Sequence, residues 1–411
     1  MKTLAPLRTS SAPSRRLQSS DLFAPLLAGF IAVLVSYAGP MLLMLQAGAA
    51  AQLSATAINS WIWAVSIGSG IGCIWLSWRY RCPVICAWNT PGAALLVTAL
   101  ASVSYGEAIG AYMLAAAGMM FIGMSGLFEK IMLLLPKSLC AAMLAGILFR
   151  FGTDIFGNLH GQGEPAAWLT AAMFVAYLLA KRYSARYAIL ITLVVGVALY
   201  WLSENGDSST SLAHVQGGLS MPLWTTPVFS LKAMLSLGLP LLLLGLSGQQ
   251  MPGIAVLRAA GYEQVPLSPL VSSTGLLSLL LAPFGSHGIN LAAITAAICT
   301  GPEAHAQVEK RWLAGIACGL LYLLIGSFSG SLTALFWRLP HALVSTVAGL
   351  ALLGAIQSGL VNALANVEER EAALITFIVT ASNLTLFGLG SACWGIAIGC
   401  LSHYLLRRIS K

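Results

Sequence analysis

Apolar stretches, most of them about as long as a bilayer is thick, follow one another along almost the whole of this chain. A transmembrane helix needs about 20 predominantly apolar residues. Runs bounded by charges or turn residues fall at 22–45, 54–78, 83–101, 106–126, 131–150, 165–182, 185–202, 229–249, 267–282, 287–301, 312–336, 340–357, 371–388 and 390–407. Only 8% of the 411 residues are charged, against about 25% in a soluble domain. A soluble enzyme, a nucleic-acid binder and a single-anchor receptor are excluded. A membrane β-barrel is excluded too, since it needs ~10-residue alternating segments. The fold class is an all-α polytopic membrane protein of about fourteen segments.

Two of the fourteen are unlike the rest. Residues 83–101 and 287–301 are short and broken at their starts by polar residues, Gly or Pro. They are the third and tenth segments, so they hold the same place in two halves of seven. An odd number per half makes the halves inverted across the membrane. Interrupted segments at matching places of inverted repeats point to a transporter's substrate site. A second echo joins segments one and eight, Ser36-Tyr37-Ala38-Gly39-Pro40 and Gly248-Gln249-Gln250-Met251-Pro252-Gly253. The halves predicted are 21–202 and 229–408, with an N-terminal tail at 1–20 and an extracytoplasmic loop at 203–228. Twelve spans remain open if the two short segments are re-entrant.

The formal net charge of +8 is a matter of orientation rather than of a nucleic-acid partner. With the N-terminus inside, every basic residue except Lys137, Arg150, Lys232 and Arg338 lies in the tail or on the inner side. Excess Lys and Arg mark cytoplasmic loops, so both termini are expected in the cytoplasm. The eight cysteines fall mostly within apolar runs, and the Cys82/Cys86 pair lacks a second pair or a His. No metal site and no cofactor are expected.

Irregular backbone at membrane depth survives only where protein or a water-filled cavity satisfies it. Half-helices starting there would aim N–H groups and positive dipole ends at an anion. Asn89 and Thr90 stand at the N-cap of the first, with Pro91 in its first turn and Gly92 giving backbone access. In the second, Ser286 or His287 is the expected cap, Gly288 gives access and Asn290 lies in the first turn. Plain capping without a ligand is the alternative. Gln249 and Gln250 read as substrate contacts or interhelical glue, and Tyr37 as a ligand contact or packing. Trp61, Trp63, Trp75 and Trp78 read as lipid or core packing. An intramembrane ionisable residue is a functional candidate. No Asp or Glu lies deep in a span, so His287 is the proton-coupling candidate, with a bracing His as its alternative. No P-loop, H-E-x-x-H or G-x-S-x-G occurs, so neither ATP drive nor an enzyme is expected.

Three blocks carry a family resemblance. They are Ala87-Trp88-Asn89-Thr90-Pro91-Gly92-Ala93-Ala94-Leu95, the run from Pro252 to Tyr262, and Ala282 through Glu303. They resemble the BenE-type benzoate:proton symporters of bacterial inner membranes, over about residues 20–405. That family is distantly similar to nucleobase permeases and sulfate-type anion transporters. The kinship implies a core domain of segments 1–4 and 8–11 and a gate domain of segments 5–7 and 12–14. It also implies short strands meeting near the substrate, and a homodimer. In related uracil permeases acidic residues hold substrate and proton; Gln249 and His287 stand at the matching positions here, which suits a carboxylate substrate. The resulting expectation is a secondary active transporter importing benzoate or a similar aromatic carboxylate with protons by alternating access. A nucleobase permease of the same fold and an anion channel or exchanger are the rival readings.

Overall fold

A computed structural model describes residues 22–38, 40–128, 130, 137–161, 164–184, 187–203, 219–336, 339–387 and 389–409. The tail at 1–20 and most of the 203–228 loop lie outside the described residues. The chain is a helical polytopic membrane protein. Among the described residues, seven helices are long and apolar enough to cross a membrane, or eight if one bent pair counts as a span.

The first apolar run forms α1 (Phe23–Ala38) and α2 (Pro40–Ala50), and the second forms α3 (Ala55–Tyr80). Ser54 caps α3, its hydroxyl accepting the Ala57 N–H. The third segment is a strand, β1 (Cys86–Trp88), followed by the half-helix α4 (Thr90–Ala99). Next come α5 (Tyr105–Met124), opened by a Ser104/Glu107 capping box, then α6 (Lys137–Gly161), α7 (Glu164–Ser184) and α8 (Ala188–Ser203).

The second half begins with a long helix, α9 (Leu231–Ala259). It carries π turns at Met234–Gly238 and Leu246–Gln250. It continues with α10 (Leu267–Leu281), the strand β2 (Ile289–Leu291) and the short helix α11 (Ile294–Thr300). The run at 312–336 is not one straight span. It divides into α12 (Trp312–Ser327) and α13 (Ser329–Phe336), bent by 73° at Phe328. The helices α14 (His341–Ala363), α15 (Arg370–Ala381) and α16 (Ser391–Ile409) complete the chain.

The helices pack in two groups. In one, α3 lies along α12, α5 along α10, and α1 against α11 and α12. In the other, α6 lies along α14 and α15, α7 along α8, and α15 along α16. Few contacts join the groups, and they include α4 and the second π turn of α9, both against α6. Crossings within the first group use small residues: a Cβ on Gly319 of α12 would lie 2.7 Å from the Gly70 carbonyl of α3. Without a hydrophobic drive between helices in lipid, such close backbone contact is what holds spans together.

Candidate functional site

The two strands meet antiparallel, Cys86 opposite Leu291, Ala87 opposite Asn290 and Trp88 opposite Ile289. Two short strands would not be stable alone, and each is tied to the span before it. Ser77 of α3 brackets Val84, donating to its carbonyl (3.0 Å) and accepting its N–H (3.1 Å). Ser278 of α10 does the same at Ile289, at 3.2 and 2.7 Å. The Cys73 thiol adds contacts to the backbone N–H and carbonyl of Cys86. Gly68 and Gly72 of α3 sit on the face that meets Ile289 and Cys86.

Asn89 is the hinge between β1 and α4. Its N–H donates to the Gly288 carbonyl (3.0 Å), and its side-chain oxygen accepts the Gly92 N–H (3.0 Å). Its Nδ2 reaches the Leu241 carbonyl of α9 at 3.5 Å. This is the N-cap that the Asn-Thr-Pro-Gly sequence calls for. The Ala93 N–H bonds the Asn89 carbonyl, and Pro91 has no N–H. Among the N–H groups of this first turn, Thr90's is the one left over. Thr90 is half-buried. Gly92 is buried instead: a Cβ there would lie 2.8 Å from both Asn89 Cγ and Leu241 Cδ2. The space beside it is taken by the Asn89 cap and by Leu241.

His287 is 2% exposed, and both its ring nitrogens are used. The Trp61 indole donates to Nδ1 at 2.9 Å. An indole N–H has no acceptor capacity, so Nδ1 carries no proton. Nε2 faces the Asn89 carbonyl at 2.9 Å and therefore donates. The imidazole is neutral, in one tautomer, and joins α3 to the strand pair. The Tyr112 ring of α5 stands edge-on to it at 6.4 Å.

The second segment departs from the sequence expectation. Ser286, His287 and Gly288 cap no helix, and Asn290 lies in no helical turn. Gly288 takes φ of +140°, open to glycine at no steric cost, and the chain then pairs with β1 as β2. The helix starts only at Ile294, behind Ala293, which supplies no side-chain cap. It is pairing with β1, together with the Ser278 bracket, that holds 289–291 extended.

The glutamines separate. Gln250 is buried: its amide nitrogen donates to Thr274 Oγ1 (2.7 Å) and Asn290 Oδ1 (3.4 Å), and its oxygen accepts the Leu291 N–H (3.4 Å). Gln249 is half-buried beside it. Tyr37 is packed in: its hydroxyl pairs with Ser66 (2.6 Å) and its ring stands edge-on to Trp88 at 5.2 Å.

Comparison with known proteins places this arrangement. A model of the BenE family, described as benzoate membrane transport protein, matches residues 20–405. The chain belongs to this family. It is similar, at 42% identity over 385 residues, to the inner membrane protein YdcO of Escherichia coli K12, covering 94% of this chain and 96% of that one. It is 42% identical over 381 residues to the benzoate membrane transport protein of Acinetobacter baylyi, covering 92% and 94%. The family is one of membrane transporters, not of enzymes. Solved structures share the fold. The transmembrane domain of the cyanobacterial bicarbonate transporter BicA matches with TM-score 0.59 at 15% identity, covering 95% of this chain and 98% of that one. SLC26A9 matches with TM-score 0.64 at 13% identity, covering 96% and 67%.

In this BenE-family chain the structure thus brings Asn89, Thr90, Gly92, Gln250, His287, Gly288 and Asn290 to the strand pair, and Gln249 precedes Gln250 in the same π turn. Tyr37 approaches only through Trp88. Sequence reasoning missed Trp61. The signal was present: Trp61, Gly68 and Gly72 recur at helical spacing along one face of α3, the face that receives the strands.

Proposed function

We propose that this protein imports benzoate or a similar aromatic carboxylate together with protons, by alternating access, across a bacterial inner membrane. The observation that carries the proposal is the junction at the start of α4. There the unsatisfied Thr90 N–H stands at the positive end of a ten-residue helix, whose Pro91 meets Gly248 of α9, the neighbour in sequence of the half-buried Gln249. No carboxylate occurs within the described strands or in α3, α4, α9, α10 or α11 to repel an anion. The carboxylate binds at Thr90, and Gln249 orients it. Asn89, Gly92, Gln250, His287, Gly288 and Asn290 hold the junction in shape.

The fourteen segments form two inverted halves of seven. Segments five and twelve, α6 and α14, pair with each other, as do three and ten through their strands. Every other main pairing has its counterpart seven segments away. Segments two and eleven (α3 with α12) answer nine and four (α10 with α5). Segments one and ten (α1 with α11) answer eight and three (α9 with α4). The two serine brackets, Ser77 and Ser278, lie on segments two and nine. The first packing group acts as core and the second as gate, and their sparse boundary is where sliding takes place. Both termini are cytoplasmic, and the transporter works as a homodimer.

Proton coupling lies at His287. Nδ1 accepts a proton only when Trp61 withdraws, so uptake of the proton is tied to movement of α3 against the strands. The test is uptake of labelled benzoate into proteoliposomes with and without an inward proton gradient. Gradient-stimulated accumulation is expected. Gradient-independent equilibration would remove symport; no uptake with unitary anion currents would favour a channel, and competition by uracil but not benzoate a nucleobase permease.

A further inference from the structure

Helix α9 carries three glycines between Leu231 and Gly248, plus Gly253 beyond them, and most are explained by what packs on them. A Cβ on Gly245 would lie 2.8 Å from Met119 Cε and 3.2 Å from Asn290 Oδ1. One on Gly253 would lie 2.6 Å from Leu291 Cβ, and one on Gly238 would lie 3.1 Å from the Ala111 carbonyl. Gly248 differs. A Cβ there would meet only Leu144 Cδ2 and Pro91 Cγ, both at an ordinary 3.7 Å. No close neighbour requires a glycine at this position.

Its place is telling. Gly248 lies in the π turn Leu246–Gln250, and such turns recur at functional sites. Pro91 follows Thr90 in the first turn of α4. Leu144 belongs to α6, in the other packing group. Thr90, Leu144, Gly248 and Gln249 are all half-buried, although the strands behind them are closed. Gly248 therefore keeps accessible surface between the two groups, in van der Waals reach of Leu144 and of Pro91, the residue that follows the left-over N–H.

We propose that Gly248 is the floor, and Leu144 the wall, of a slot for the substrate's ring, and that Leu144 sets the size of ring admitted. The inference rests on the aromatic-carboxylate reading. With the carboxylate at Thr90, a flat apolar ring lies over the bare backbone of Gly248 and against the Leu144 side chain. A carboxylate without a ring leaves that apolar contact unmade.

The test compares wild type, Gly248→Val and Leu144→Ala in proteoliposomes, reading labelled benzoate uptake and its competition by 2-naphthoate. The Gly248→Val change fills the slot and raises the benzoate KM at least tenfold, with the thermal midpoint in detergent kept. The Leu144→Ala change enlarges it and shifts the naphthoate-to-benzoate preference at least tenfold toward naphthoate. Wild-type benzoate uptake with an unchanged preference in Leu144→Ala overturns the slot alone. Absence of benzoate uptake by the wild type overturns the aromatic-carboxylate reading and the slot with it. If Gly248→Val does not fold, the Leu144→Ala preference decides.

Discussion

The two segments whose strands pair, 83–101 and 287–301, start alike and are built to different ends. Both begin with a three-residue strand, and a serine of the preceding span holds the backbone there, Ser77 at Val84 just before β1 and Ser278 at Ile289 within β2. Beyond the strands they diverge. The third runs at once into a ten-residue helix with an Asn cap and Pro in its first turn. The tenth reaches only a seven-residue helix with no side-chain cap. Its polar residues, Ser286, His287 and Asn290, lie before or within its strand. One segment thus offers a helix terminus with an N–H to spare, and the other supplies hydrogen bonds that fix the first. Likeness of the two strands does not carry over into likeness of chemistry.

The largest effect expected from this difference comes from placing a charge at each helix start. An Asp at Thr90 suits the helix terminus and keeps the fold, but it repels a bound carboxylate. At about 5 Å and an effective dielectric of about 20, the repulsion is about 3 kcal/mol, roughly two orders of magnitude in affinity. The Ala293→Asp change puts the same charge before α11, where it also adds a missing cap. It should weaken benzoate binding less than tenfold. Binding to the purified variants, with thermal unfolding as a control, makes the comparison. Equal losses at both positions would mean that both half-helices face the substrate.

A middle-sized effect concerns the brace that crosses from α3 to the strands. The Trp61→Phe change leaves the ring in place but removes the donor facing Nδ1 of His287. The imidazole then takes a proton without waiting for α3 to move, so stimulation of uptake by a proton gradient should fall severalfold while exchange of benzoate continues. The His287→Gln change should abolish the stimulation. It also leaves a buried indole N–H short of its partner, at a cost of about 1–3 kcal/mol in stability. If both variants respond to the gradient as the wild type does, His287 is a brace and nothing more.

The boundary between what the chain reveals by inspection and what it conceals follows the range of the interactions. Apolar runs and the Asn89 cap are local, and both were legible. The three-residue spacing from Asn89 to Gly92 contains everything the cap requires. The strand at 289–291 is not local: its partner lies some 200 residues earlier, and the polar residues before it imitate a helix start. Trp61 was hidden for the same reason, since its acceptor is 226 positions away. The two glutamines were hidden differently. A π turn adds a residue to the helical repeat and alters which of two neighbours faces β2, so a regular helical wheel does not show that Gln250 is the buried one.

The smallest expected effects separate the two asparagines, which look alike in sequence. Asn89 caps α4, reaches α9 and has its backbone in the strand pair. Its replacement by Ala loses the cap, worth about 0.5–2 kcal/mol, and frees the start of α4 from its place beside Gly248. Asn290 is also buried, and among the described residues its side chain accepts one 3.4 Å hydrogen bond, from Gln250. Hydrogen bonds between spans average about 0.6 kcal/mol, and Gln250 retains Thr274 and the Leu291 N–H when this one is lost. The Asn290→Ala change should therefore lower stability by less than about 1 kcal/mol and leave benzoate affinity within threefold, whereas Asn89→Ala should lower both measurably. Chemical denaturation in detergent and equilibrium binding read the two quantities separately. A large loss of affinity in Asn290→Ala with stability intact would give the tenth segment a direct contact with the substrate, and the division of labour between the two segments would have to be abandoned.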